Sequence, residues 1–200
     1  VFMGMGEALA NYDQVVKALS LITTEWGFNI SPRRVTVSTV GLVPQMKRLL
    51  EETNVNLTVS LTATTNRLRD DIMPINRRYP LEQLLDACRT LSIAPRKRVT
   101  FAYTLLDGVN DSEDDARRLV RLLHGIRAKI NLIPFNSFPG APFAPTPRSQ
   151  MNYFRQLLLD KGVHATIRES RGQDVQGACG QLAARLVTDL QLLTWRTQTG

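Results

Sequence analysis

The sequence predicts an α/β protein built on parallel β-strands. Segments with strand-like and helix-like hydrophobic periodicity alternate along the 200 residues, which is typical of βαβ units. The predicted strands are rich in Val, Ile, Leu and Thr, as expected when both faces of a sheet are covered. They are fewer than the eight of a complete barrel. From these patterns a partial barrel and a doubly wound sheet both remain possible.

The predicted strands are short β-branched or apolar segments, and glycines end the first of them. In chain order they are Val1–Gly6, Arg34–Thr39, Asn56–Leu61, Val99–Leu106, Ile130–Pro134 and Val163–Arg168.

The predicted helices carry apolar residues at helical spacing. Pro44 suits a first turn, Gly27 and Gly162 are stop signals, and Ser112 with Asp115 has the spacing of a capping box. The helices are expected at Tyr12–Trp26, Val43–Glu52, Leu81–Leu91, Asp111–Leu123, Arg148–Leu159 and Gln181–Trp195.

Composition excludes several classes of protein. The chain has no apolar run long enough to span a membrane and no leader pattern. Its two cysteines are too few for a disulfide framework or a four-ligand zinc site. A cytoplasmic protein is therefore expected. The chain opens on the apolar run Val1-Phe2-Met3 without an initiator Met, and we expect a chain truncated at its N-terminus.

Polar residues follow the predicted strands, where parallel α/β folds bind ligands. Glu7 follows the first strand, and its carboxylate can accept hydrogen bonds from an ammonium group or a ribose. The dinucleotide fingerprint fails, because Leu9 stands where its third glycine is needed. The ends of the strands therefore predict a site for a small polar ligand.

The formal net charge of +7 favours a polyanionic partner. Arginines that follow strands are the better candidates for positioning RNA at an active site. They are Arg67, Arg69, Arg77, Arg78, Arg168 and Arg171. The clusters Arg33-Arg34 and Arg96-Lys97-Arg98 precede strands and are expected on the far face.

The two cysteines differ in their surroundings. Cys88 lies on an apolar helical face and is expected in the core. Cys179 lies in a glycine-flanked loop before the last predicted helix, where a thiol can project and its pKa can be lowered. Cys179 is therefore a candidate nucleophile, with a small loop residue as the alternative.

Six segments taken together resemble the radical S-adenosylmethionine RNA methyltransferases that methylate C2 of adenine. They run in order through nearly the whole chain. They are VFMGMGE (1–7), SPRRVTVSTVGLVP (31–44), RLRDDIMPIN (67–76), LLDGVNDSEDDA (105–116), KINLIPFNSFPGAP (129–142) and RESRGQDVQGACGQLA (168–183).

The resemblance implies a partial TIM-like barrel that holds S-adenosylmethionine and a [4Fe–4S] cluster, with residues 1–200 as one radical SAM core domain. It implies ribosomal or transfer RNA as substrate, an electron donor as partner and a monomer. Cys179 would carry the methyl group as S-methylcysteine. The cofactor would be bound by Gly6, Glu7, Ser38, Ser60, Leu61, Thr62 and Asn136.

This sequence departs from the family pattern in three places. The family's CxxxCxxC cluster segment is not found in it, so its cluster ligands are expected upstream. Ala8 and Thr62 stand where the family has Pro and His. Two alternatives stay open: a relative that binds RNA without catalysis, and a different radical SAM enzyme that acts on a small molecule.

Overall fold

The computed structural model describes residues 1–3, 6–91, 93, 97–138 and 140–168. Five parallel strands form one sheet in sequential order. They are β1 (Thr36–Thr39), β2 (Asn56–Ser60), β3 (Val99–Leu105), β4 (Ala128–Pro134) and β5 (Ala165–Ile167). Phe2 makes a parallel bridge to Val37 beside β1, so the predicted first strand is present here as a bridge.

Six α-helices lie in the described residues. They are α1 (Tyr12–Thr23), α2 (Val43–Glu52), α3 (Asn66–Ile72), α4 (Leu81–Thr90), α5 (Glu113–Leu122) and α6 (Arg148–Asp160). Helix α3 was not predicted, because its seven residues are too few to show a clear apolar period. The predicted helix Gln181–Trp195 lies outside the described residues.

The strand order decides between the two predicted architectures. A doubly wound sheet reverses its strand order, whereas this sheet runs β1 to β5 without reversal. Right-handed crossovers that always step in one direction place every connecting helix on the same side of the sheet. In the described part of the chain β5 is an open edge, and Phe2 pairs with the outer side of β1. The partial barrel is therefore confirmed.

In the described part of the chain the sheet has one apolar face, which packs against the helices, and one polar face. Val37, Val59 and Phe101 are fully buried on the helical side. They share a core with helix residues such as Met46 and Phe154. The alternate residues of the strands point to the other face, because side chains alternate along a strand. These residues are mostly Ser, Thr and Asn. Some of them, such as Thr58 and Thr100, are buried, and together they give this face a polar lining that suits polar ligands.

Helix α1 is shorter than predicted. It ends at Thr23, and Thr24 has extended backbone angles. Two consecutive threonines disfavour further helix, since β-branched side chains crowd the preceding turn. Trp26 therefore lies outside the helix and is 92% exposed. None of the helices in the described ranges combines the length and hydrophobicity that crossing a bilayer requires.

Candidate cofactor site

A cleft of about 720 Å³ opens on the polar face of the sheet, at the carboxyl ends of the strands. Parallel pairing brings these ends to one edge, which is where α/β proteins bind ligands. We name it the cofactor cleft. The polar part of its lining comes from Glu7, Asn11, Ser38, Thr39, Ser60, Thr104 and Arg168.

Glu7 is held in place by two backbone amides. Its Oε1 accepts a hydrogen bond from Leu9 N–H at 3.0 Å, and its Oε2 accepts one from Val40 N–H at 2.8 Å. The first bond caps the 3₁₀ turn Ala8–Asn11, and the second joins that turn to the end of β1. Each carboxylate oxygen keeps acceptor capacity for a ligand. The glutamate is therefore a fixed negative group on the wall of the cleft.

Gly6 precedes this glutamate and also lines the cleft. Its φ of +80° lies in the left-handed region that glycine adopts without strain. A Cβ at this position would meet no atom within 4 Å, so the backbone here is open to a ligand.

The other predicted cofactor residues divide into two groups. Ser38 and Ser60 line the cofactor cleft from neighbouring strands, as the resemblance implies. The side chain of Leu61 is fully buried in the core, so Leu61 can contribute to a site only through its backbone. Thr62 and Asn136 follow β2 and β4 at the same edge but do not line the cleft.

Thr62 has an unusual backbone conformation. Its φ of 54° is left-handed, which is uncommon for a β-branched residue. Its carbonyl accepts a hydrogen bond from Nδ2 of buried Asn110 at 2.7 Å. The surrounding structure therefore imposes this turn at the end of β2.

Arg69 is fully buried, so the prediction that it faces RNA is wrong. Its guanidinium donates to the carbonyl oxygens of Val40 at 2.8 Å, Ser60 at 3.2 Å and Leu61 at 3.3 Å. It also donates to Oδ1 of Asn76 at 3.0 Å. Burial lowers the pKa of Arg69 to about 10, which still leaves it charged at neutral pH. Arg69 thus joins the carboxyl ends of β1 and β2 from behind the cofactor cleft.

The remaining predicted RNA contacts are exposed arginines. Arg67, Arg77 and Arg78 are exposed around α3 and the turn that follows it. Arg168 is exposed, lines the cofactor cleft and donates a weak hydrogen bond to Sδ of Met3 at 3.6 Å. Arg171 lies outside the described residues.

Cys88 is buried in the core, as predicted. Burial raises the pKa of its thiol to about 12, so it is neutral and unreactive at physiological pH. Cys179, the candidate nucleophile, lies outside the described residues.

Sequence reasoning missed Asn11, Thr104 and Asn76. Asn11 and Thr104 line the cofactor cleft, while Asn76 is buried and accepts a hydrogen bond from Arg69. The only sequence feature that pointed to Asn76 was its position in RLRDDIMPIN (67–76), where polar residues lie close together.

Comparison with known proteins identifies the fold and the family. The model of the radical SAM superfamily matches residues 1–120. The chain is 57% identical over 184 residues to the "Dual-specificity RNA methyltransferase RlmN" of Anaeromyxobacter dehalogenans, covering 92% of this chain and 50% of that protein. It is 54% identical over 186 residues to the protein of that name from Geobacter sulfurreducens, covering 93% of this chain and 52% of that protein. The chain thus spans about half the length of the curated relatives it matches.

Two solved structures have the same architecture. A radical SAM methyltransferase from Sphaerobacter thermophilus superposes with a TM-score of 0.85 at 47% identity, covering 90% of this chain and 53% of that one. A domain of the pyruvate-formate lyase-activating enzyme from Bacteroides vulgatus superposes with a TM-score of 0.63 at 18% identity. It covers 84% of this chain and 98% of that domain, and it supports the fold alone.

Radical SAM proteins use S-adenosylmethionine together with a [4Fe–4S] cluster. The cofactor cleft fits the first, because it combines a fixed carboxylate, hydroxyl groups and an open glycine. The cluster does not fit the residues of this chain, since it needs several cysteine thiolates and the sequence has two cysteines. Among the described residues, no three His, Cys, Asp or Glu side chains form a potential metal site.

The family model covers more than half of the chain. The open parallel sheet and the position of the cofactor cleft agree with that match. The chain belongs to the radical SAM superfamily.

Proposed function

We propose that the protein carrying this chain methylates C2 of adenine in ribosomal or transfer RNA. The observation that carries the proposal is the cofactor cleft, in which Glu7, Ser38 and Ser60 lie together. It occurs in a chain that is 57% identical over 184 residues to a protein named as an RNA methyltransferase.

Bound S-adenosylmethionine supplies the methyl group. Glu7 is suited to hold the ammonium group of the methionine moiety, because its carboxylate is already oriented by two amides. Ser38 and Ser60 offer hydroxyl groups for the polar atoms of the cofactor. Ile133 and Val15 add apolar surface to the same cleft, which excludes water from part of it. Leu61 and Thr62 are proposed to contribute to cofactor binding through the backbone of the turn that follows β2.

Cys179 is proposed as the residue that carries the methyl group to adenine. C2 of adenine is electrophilic and does not attack a sulfonium methyl group directly. The Cys179 thiolate would take the methyl group by displacement at the sulfonium carbon, with S-adenosylhomocysteine as the leaving group. Loss of a hydrogen atom from the resulting S-methyl group, by radical chemistry that the cofactor and cluster would supply, would give a carbon radical that can add to C2. Gly177 and Gly180 lie close to Cys179 in sequence, and glycine is the residue that places least bulk beside a neighbouring side chain.

Methyl transfer by the complete protein tests this proposal. The protein, with any flanking sequence that its natural gene encodes, is incubated anaerobically with its cluster reconstituted and with cofactor, reductant and RNA. We expect 2-methyladenine in RNA from the unaltered protein and none from Cys179→Ala. Cys88→Ala is the matched control, because Cys88 is buried in the core and is expected to leave methyl transfer intact.

Two results would contradict parts of the proposal. Unchanged transfer by Cys179→Ala would remove Cys179 from the carrier role. Cofactor binding without any methyladenine in RNA would favour a relative that binds RNA without catalysis, or an enzyme acting on a small molecule.

The organisation and partners of the protein are part of the proposal. Residues 1–200 are proposed to form one radical SAM core domain that works as a monomer in the cytoplasm. Its partners are RNA and an electron donor that reduces the cluster. Light scattering at working concentration tests the oligomeric state, and a mass of two chains would contradict the monomer.

A further inference from the structure

A second cleft, of about 840 Å³, occupies the half of the polar face nearer the amino ends of the strands. Its floor is formed by Thr36, Asn56, Thr58, Thr100 and Asn131. Thr36 and Thr58 precede Ser38 and Ser60 of the cofactor cleft by two residues on the same strands, a distance of about 7 Å. Val1, Met3 and Arg168 line both clefts, so the two are continuous.

Basic side chains surround this second cleft. Arg33, Lys97, Arg98, Lys129 and Arg168 line it, and no acidic residue among those that the structure describes does so. We name it the cationic cleft. The ion pairs found among the described residues involve other arginines. The five positive charges therefore lack a carboxylate partner within the described part of the chain.

Arg33 acts on Lys97 within this cleft. Lys97 donates hydrogen bonds to the backbone carbonyl and to Oδ1 of Asn54, which are neutral acceptors. Burial and the positive charge of Arg33 lower the pKa of Lys97. An anion that enters beside Lys97 would stabilise its charged form.

We propose that the cationic cleft binds the phosphate groups of a single RNA strand and leads it toward the cofactor cleft. That the polyanion is RNA rests on the proposed function; that the cleft takes phosphates rests on its own charge and shape. Thr36, Asn56 and Asn131 on the floor are partly exposed and suit hydrogen bonds to ribose and phosphate, whereas Thr58 and Thr100 are buried. The cations line a concavity, which a strand can enter and the convex surface of a folded acidic protein cannot.

This inference adds a second RNA contact to the one predicted. The arginines at strand ends were expected to position RNA, whereas Arg33 and Lys97 were expected on the far face. In the structure both clefts lie on the polar face of the sheet, and the cationic cleft is the one nearer the amino ends of the strands.

A pair of charge-matched double variants tests the proposal. Arg33→Glu with Lys129→Glu reverses two exposed cations of the cleft. Lys17→Glu with Lys161→Glu makes the same change in net charge at exposed positions on α1 and after α6. RNA affinity is measured against salt concentration on the complete protein, and S-adenosylmethionine affinity is measured by calorimetry in parallel.

We expect the cleft variant to bind RNA about tenfold or more weakly at low salt. The slope of log Kd against log salt should fall by roughly 0.7 for each phosphate that the variant no longer neutralises. The control variant should change RNA affinity by less than about threefold, because screening weakens distant charges. Cofactor affinity should be unchanged in both variants. Tripolyphosphate should displace RNA from the unaltered protein, and polyglutamate should displace it less well.

Three outcomes would overturn the proposal. Equal RNA affinity for the two double variants would show that only net charge matters. Loss of tripolyphosphate binding without loss of RNA affinity would assign the cleft to a small anion. Better displacement by polyglutamate would assign it to an acidic polypeptide. None of these bears on methyl transfer by the unaltered protein, so the proposed function is judged separately.

Discussion

Arg69 is a buried cation whose hydrogen-bond partners are all neutral, and it links the carboxyl ends of β1 and β2. Arg69 donates only to neutral oxygens, three of them backbone carbonyls at the ends of β1 and β2. Such carbonyls are costly to bury unpaired, and one guanidinium satisfies all three. Lysine cannot reproduce this planar set of donors. Arg69 is therefore a positioning residue for the backbone that carries Ser60 and Val40.

Replacing Arg69 should destabilise the fold. Arg69→Gln is expected to lower the free energy of unfolding by about 3 kcal/mol, because buried carbonyl oxygens lose their donors. Arg67→Gln, at an exposed site on the same helix, should stay within about 0.5 kcal/mol of the unaltered chain. Urea unfolding measures both. A loss for Arg69→Gln no larger than for Arg67→Gln would contradict the role of the guanidinium.

Glu7 is the residue on which cofactor binding should depend most. Glu7→Gln keeps one acceptor for a backbone amide but removes the negative charge, so S-adenosylmethionine affinity should fall about tenfold. Glu25→Gln, an exposed glutamate between α1 and β1, is the matched control. Calorimetric titration of the complete protein measures both. Equal affinities for the two variants would remove Glu7 from the cofactor site.

At the scale of a single element, the N-terminal cap of α5 forms at Ser112, where the sequence predicts it. Ser112 accepts a hydrogen bond from Asp115 N–H at 3.1 Å, as the predicted cap requires. The Asp115 side chain turns to the Ser112 hydroxyl and to Thr64. The cap therefore also links α5 to the loop after β2. Burial is the largest single effect on Asp115 and raises its pKa, but the hydrogen bonds from Ser112, Thr64 and Arg118 together outweigh it and leave the pKa lowered.

Removing this cap should cost more than a surface change. Ser112→Ala is expected to lower the free energy of unfolding by about 1 kcal/mol, because the first turn of α5 loses a partner. Ser20→Ala, at an exposed site on α1, should be nearly neutral. Thermal unfolding with urea titration gives both values. A cap variant as stable as Ser20→Ala would mean that water replaces the serine without cost.

For the whole molecule, stability should be highest at the middle of the sheet. β3 lies between β2 and β4, and six of its seven residues are buried. We expect its amides to exchange most slowly with solvent, and those of the edge strands β1 and β5 to exchange faster. Hydrogen-exchange mass spectrometry measures this order. Slower exchange in β5 than in β3 would show that another contact covers this edge.

Much of the fold follows from local patterns. The order of strands and helices, the buried face of α4 with Cys88 and the cap at Ser112 all depend on residues close together in sequence. Periodicity reports on such residues directly. Placing Glu7, Ser38 and Ser60 at strand ends also needed only the boundaries of the strands and the rule for parallel sheets.

The sequence by itself determined the α/β class, the succession of elements and the edge where the cofactor cleft lies. Tertiary structure decided which sheet face packs against the helices, because that depends on the direction of the crossovers and not on any one strand. It also decided that Arg69 is buried, because its acceptor Val40 lies 29 positions away in sequence. An arginine becomes buried only where such distant carbonyls converge. The two clefts also share one face of the sheet, because both are lined by residues from strands that are far apart in sequence.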